Sequence, residues 1–249
     1  MSNLIRGEFY KLRKSKYFIG MIFLAMIVGV LFITLWEMDR ETNLIYNNVR
    51  KNGAMSISYA YDRIAVGSFL FALLGGTFII KDVNTGNLSK SFSYGYTRSK
   101  VILSKLIVFV IFSLFLELIY TAVLVIYVSK KHGFYENLNL NSILYLSAVI
   151  VSLILFSIAT ISIIGMVAIL TSSVFITLVL PIIFWISIIF IYKNMGSHIF
   201  YILSSLPWLR PRGIFQSREE NIISVISVVV TLAITIGGSL LYVKHKDIR

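Results

Sequence analysis

The stretch that decides the fold runs from Ile143 to Tyr192, ILYLSAVIVSLILFSIATISIIGMVAILTSSVFITLVLPIIFWISIIFIY, fifty residues without a charged side chain. A helix needs about 20 apolar residues to cross roughly 30 Å of hydrocarbon. Fifty in one helix, rising about 1.5 Å each, would run far past the bilayer. The run must fold back, and Thr171-Ser172-Ser173 is its only consecutive polar punctuation. It therefore reads as two spans, Ile143 to Leu170 and Val174 to Tyr192.

The same criterion applied outward gives Tyr17 to Trp36, Ile64 to Ile80, Leu106 to Val128 and Ile222 to Val243, six spans in all. The expected fold class is all-α, a polytopic membrane protein forming one domain over residues 1–249. Composition agrees: 57% of the 249 residues are hydrophobic and 14% charged, with a mean hydropathy of +0.86, a balance that a water-soluble domain of this size does not carry. No polar block reaches the roughly 50 residues of a separate catalytic domain. The absence of cysteine excludes disulfides and thiolate metal sites. The first apolar run has no small-residue cleavage site after it and reads as a retained span.

An even number of spans puts both termini on one side. Thirteen of the Lys and Arg residues fall on that side and ten on the other, while the acidic residues concentrate opposite, so the termini are expected in the cytoplasm. The net charge of +12 then reflects orientation and contact with anionic lipid more than nucleic-acid binding.

Three polar segments carry information. Residues 1–16 place Leu4, Ile5, Phe9 and Leu12 at near-helical spacing among Arg6, Glu8, Lys11, Arg13 and Lys14, the pattern of an interfacial helix whose apolar side sinks into the headgroup boundary. Residues 81–105 are too long for a hairpin. Within them Leu88 and Phe92 share one helical face with Val83 nearby, apolar knobs suited to a cytoplasmic partner, before Gly95 breaks the helix. Arg98, Lys100 and Lys105 are then expected at the inner membrane surface. Residues 193–221 hold apolar stretches too short to span, interrupted by Pro207. They read either as a re-entrant helix-turn-helix in the outer leaflet, with Trp208, Arg210 and Arg212 at an exit, or as an interfacial loop whose arginines rest on lipid phosphates.

Inside the spans Glu117 is the one ionisable residue, at a cost on the order of 3 kcal/mol on insertion scales. It must be protonated, paired or facing water. Tyr120, Thr121 or a second subunit are its candidate partners, and both a structural and a substrate or coupling role stay open. Gly67, Ala72, Gly75 and Gly76 permit close helix approach. Pro181 lies in the fifth span, as a packing kink or as a hinge.

From the basic start EFYKLRKSKYF, the inner segment KDVNTGNLSKSFSYGYTRSKVILSK and the six-span plan, the chain resembles ABC-2 type permeases of bacterial ATP-binding cassette exporters, especially the small subunits associated with peptide antibiotics. The family's first inner loop carries an acid, a glycine turn, a leucine, an arginine and a lysine, matched here by Asp82, Gly86, Leu88, Arg98 and Lys105. The resemblance implies a dimer of permease subunits in the bacterial cytoplasmic membrane, with two cytoplasmic ATPases docked on the coupling segment, Phe92 included. ATP and Mg would belong to those partners; no cofactor is expected on this chain. In keeping with this, no G-x-x-x-x-G-K-[ST] phosphate loop occurs. The cargo implied is an amphipathic or hydrophobic molecule, an antimicrobial or toxic peptide foremost. The competing classes are an ion-coupled carrier or channel, for which one Glu117 is a sparse path, and an intramembrane enzyme, for which neither H-E-x-x-H nor G-x-S-x-G is present.

Overall fold

The structure, a computed structural model, describes residues 1–44, 52–85, 95–135, 139–193, 206–209 and 218–245. Among these every regular element is helical. The elements are α1 (Ser2–Lys14), α2 (Lys16–Leu44), α3 (Gly53–Asp62), α4 (Ile64–Leu74), a π-helical turn (Gly75–Ile80), α5 (Lys81–Asn84), α6 (Arg98–His132), α7 (Leu140–Thr171), α8 (Val174–Lys193) and α9 (Arg218–His245).

Among the described residues, five apolar segments are long enough to cross a membrane: Lys16–Asp39, Ile64–Asn84, Arg98–His132, Leu140–Thr171 and Val225–Lys244. The apolar part of α8, Val174–Phe190, is shorter. The fold-back falls where the polar triplet placed it. α7 ends at Thr171, Ser172 takes up a left-handed conformation (φ 50°, ψ 23°), and α8 starts at Val174. Pro181 sits inside α8 without ending it.

The second span departs from expectation at its N-terminal end. Helix begins at Gly53, a full three turns before Ile64, and breaks only at Arg63 (φ −96°, ψ 22°). In sequence, the polar and aromatic residues from Ser56 to Asp62 read as a loop. In the fold, Asn52 caps the helix by accepting from the Met55 N–H, and the Ser56 hydroxyl bonds back to the Gly53 carbonyl. The orphan donors of Gly53 and Ala54 go to the Gly133 and Phe134 carbonyls just beyond α6, both at 3.0 Å. Residues 53–84 thus run antiparallel to α6 along its whole length, from Gly53 beside Gly133 to Asp82 beside Lys105.

α6 is the central helix and packs against α1, α2, α3, α4, α7 and α9. Its buried row, including Ile102, Phe109, Phe112, Leu116, Tyr120, Leu124 and Val128, is the spine of the main apolar core. Tyr120 stands edge-on to Phe32 of α2, with ring centroids 5.2 Å apart, and its hydroxyl occupies the space beside Gly67, where a Cβ would come within 2.7 Å. Gly76 likewise lets Val174 of α8 approach. α2 and α9 are peripheral: 22% and 17% of their apolar windows are buried, against 72% for the Ile64–Asn84 window. Their exposed apolar faces are those expected to meet hydrocarbon.

Candidate functional site

Helices α1, α5 and α6 meet at one buried ammonium. Lys105, on α6 two turns past Arg98, has a side chain only 1% exposed. Its three donors find three acceptors: Glu8 Oε2 of α1 at 2.9 Å, Asp82 Oδ2 of α5, and the Phe78 carbonyl of the π-turn at 3.3 Å. The ammonium also lies 4.3 Å from the Phe78 ring centroid, within cation–π range. The second Glu8 oxygen accepts from Lys11 at 2.8 Å. Two carboxylates and two ammoniums therefore neutralise each other locally.

Such a cluster costs several kcal/mol per ion in desolvation, which mutual attraction offsets only when each charge is fully bonded. Lys105 meets that condition. In return the cluster fixes the mutual placement of three elements that lie far apart in sequence.

This corrects two sequence expectations. Lys105 was placed at the membrane surface, yet it is buried in protein. Glu8 was placed on the polar face of the interfacial helix, yet it too is buried. The apolar side of α1 meets the bundle as well: Leu12 belongs to the core, and Leu4, Ile5 and Phe9 pack against it. Lys105 had been picked out by motif; Glu8 had not. Its only signal was being the one acid among the basic residues of the first helix.

The ring of contacts extends around the same end of the bundle. Asn84 Nδ2 donates to the Ser172 carbonyl at the α7–α8 turn (3.4 Å), and the Tyr242 hydroxyl of α9 donates to the Leu170 carbonyl (2.9 Å). α1, α5, the α7–α8 turn and the last turn of α9 thus lie at one end of the bundle. Gly95 has φ +83°, open to glycine at little cost, two residues before α6's N-cap Thr97. Arg98 is the first residue of α6 and partly exposed. Gly86, Leu88 and Phe92 lie outside the described residues.

Residues 4–192 match the sequence profile described as ABC-2 family transporter protein. The chain belongs to this family. No curated protein matches it. The matched region opens within α1 and closes within α8, so Glu8, Asp82, Lys105 and Glu117 all fall inside it. The chain is accordingly an ABC permease, a membrane transport subunit of a class that works with ABC ATPase partners.

Half-way along α6 of this permease, Glu117 is 1% exposed and accepts a hydrogen bond from the Ser157 hydroxyl of α7 at 2.8 Å. Its partner was not legible in sequence, because Ser157 is one of several hydroxyls spread through a long apolar run. Tyr120 lies one turn on with its hydroxyl toward Glu117, and the hydroxyls of Ser113 and Thr121 are buried without a hydrogen-bond partner among the described residues. These four residues share one face of α6 by their spacing, a polar row inside an otherwise apolar helix.

At the opposite end of the permease the charges sit nearer the surface. Asp39 of α2 accepts from the Tyr59 hydroxyl of α3 at 2.8 Å and from Arg63 at the α3–α4 break. Arg63 also lies over the Tyr59 ring, and Trp36 meets that ring edge-on. Burial, then the hydrogen bond to Asp39, push the Tyr59 phenol well above its ordinary range, so it remains a donor at neutral pH. Glu37 pairs with Lys131 at 3.0 Å. Trp208 stacks on Phe184 of α8, with centroids 4.7 Å apart, and donates to Ser187 at 3.0 Å. It is anchored to α8 and only partly exposed. Arg210 and Arg212 lie outside the described residues, as does most of the expected re-entrant hairpin.

Proposed function

We propose that this permease is the transmembrane subunit of an ABC exporter, with six spans, both termini cytoplasmic and residues 81–105 forming the coupling segment onto a separate ATPase. The observation that carries the reading is the Glu8–Lys105–Asp82 clamp, within the family-matched region and flanking residues 86–94. A push on that segment reaches α5 and α6 where Asp82 and Lys105 meet, and passes to α1 through Glu8. Asn84 carries it to the α7–α8 turn. In this arrangement Leu88 and Phe92 touch the ATPase, Gly86 turns the chain toward it, Arg98 sits beside the returning strand of chain, and Asp82 acts one step back, holding the segment to the bundle.

The working unit is two permease subunits, alike or related, with two ATPases that bind ATP and Mg. α8 supplies the fifth span, and residues 193–221 form the re-entrant outer segment, with Trp208, Arg210 and Arg212 near the exit. The cargo is an amphipathic or hydrophobic molecule, an antimicrobial or toxic peptide foremost, moved from cell or membrane to the outside. Peripheral apolar faces support a cargo of that kind.

The test is co-purification from native membrane in mild detergent, with and without Leu88→Asp and Phe92→Asp. The expected result is an ATPase that accompanies the wild-type chain and is lost from both variants while the permease stays monodisperse. A folded permease with no ATPase partner overturns the exporter reading and directs attention to Glu117 as a carrier site.

A further inference from the structure

Beside the clamp, a half-open groove of about 260 Å³ lies between the α1–α2 junction and the inner end of the second span. Leu12, Tyr17 and Phe78 give it apolar walls, and Lys11 and Lys81 stand at its rim. The Lys11 side chain is half exposed even while it bonds Glu8, and Lys81 is exposed, its ammonium 5.2 Å from the Tyr17 ring centroid. Asp82 also lines the groove, but its carboxylate bonds Lys105. Counting Lys11, Lys81 and Lys105 against Glu8 and Asp82, the site is cationic. From Tyr17 a stripe of exposed positions at helical spacing, Gly20, Leu24, Ile27 and Leu31, runs along α2 away from the groove. At Gly20 nothing lies within 4 Å of where a Cβ would stand, so the stripe is open there.

An apolar track along a peripheral helix that ends at two ammoniums has the shape and charge of a phospholipid binding site, the acyl chain on the helix and the phosphate at the rim. We propose that this groove holds the phosphate of an anionic phospholipid between Lys11 and Lys81, with an acyl chain laid along α2. The assignment to the cytoplasmic leaflet rests on the orientation proposed above; the site itself does not. Because Lys11 bonds Glu8 and Lys81 precedes Asp82, a bound lipid joins α1 to α5 from outside the clamp, making the first turn of the inner segment sensitive to membrane composition.

The test is binding of fluorescent phosphatidylglycerol, against phosphatidylcholine, to the purified full chain in zwitterionic micelles. The expected result is a preference for phosphatidylglycerol that falls on the order of tenfold in the Lys11→Gln and Lys81→Gln double variant. It also falls in Thr77→Phe, which fills the groove with both lysines intact, and survives in the Lys14→Gln and Lys16→Gln double variant. Equal loss in the two lysine pairs means diffuse surface attraction and overturns the site, as does undiminished binding by Thr77→Phe. Displacement of the lipid by excess glycerol phosphate overturns it in favour of a soluble phosphate ligand. Should the first double variant fail to stay monodisperse, Thr77→Phe against the Lys14 and Lys16 pair decides alone. None of these measurements involves an ATPase, so their outcome is separate from that of the coupling test.

Discussion

Lys105 and Lys131 lie near opposite ends of the same helix, and each bonds a carboxylate from another element, Lys105 those of Glu8 and Asp82, Lys131 that of Glu37. The side chain of the first is 1% exposed and that of the second 45%. At the Lys131 end water competes for both charges, salt screens them, and the pair adds little to stability. At the Lys105 end the ammonium itself is sealed in protein, and no water reaches it to replace a lost partner. The same chemistry is therefore optional at one end of α6 and obligatory at the other, and the obligatory end is where α1, α5 and α6 are tied together.

The contrast is tested most severely by Lys105→Met. It takes the buried ammonium from Asp82 and from Glu8, which keeps Lys11, and the expected loss is about 3–5 kcal/mol, the range for breaking a buried ion pair from one side. In mild detergent this appears as a large fall in melting temperature or as loss of the monodisperse peak. Adding Glu8→Gln and Asp82→Asn to that variant removes the negative charge that Lys105 had balanced and is expected to recover much of the loss. If Lys105→Met alone melts like the wild type, the two ends do not differ and the clamp is no different from a surface pair.

A smaller effect is expected mid-helix. Ser157→Ala takes the donor from Glu117 Oε1, and the cost of a hydrogen bond to a buried polar group is about 1–2 kcal/mol. The same melting measurement on Ser157→Ala and Ser157→Thr checks it, since only the threonine keeps a hydroxyl. Equal melting of both variants would remove the Ser157 bond as the stabilising contact.

At the outer end Arg63→Gln leaves Asp39 with Tyr59 as a donor, and both ionic side chains are partly exposed, so roughly 0.5–1 kcal/mol is expected. Raising the ionic strength should shrink the difference between Arg63→Gln and wild type. Last, Lys131→Ala is expected to leave the melting temperature unchanged within error. A fall comparable to that of Lys105→Met would erase the contrast between the two ends.

The legibility of this permease follows the same division. The fold-back at Thr171–Ser173 could be read from sequence because length and polarity leave a fifty-residue apolar run no alternative. The extension of helix from Gly53 to Asp62 could not, since Ser56, Tyr59 and Asp62 look like loop until Asn52, Gly133 and Phe134 are seen to satisfy the helix start. Lys105 was visible as a motif residue, but its burial was hidden, because a lysine just before an apolar span looks like any other interfacial cation. Glu117 was visible as an anomaly and Ser157 was not, because one hydroxyl among many in α7 carries no mark of its own.

The sequence by itself determined which segments form long apolar helices. In hydrocarbon every backbone polar group must be bonded internally, and that demand converts apolar length directly into helix. Only the tertiary structure decided which charges compensate which. The ammonium of Lys105 meets the carboxylates of Glu8 and Asp82 through contacts of a few ångströms, between residues 97 and 23 positions apart along the chain. No periodicity links such positions, because electrostatic pairing inside a protein depends on distance in space and on the exclusion of water, and both arise only when the helices pack.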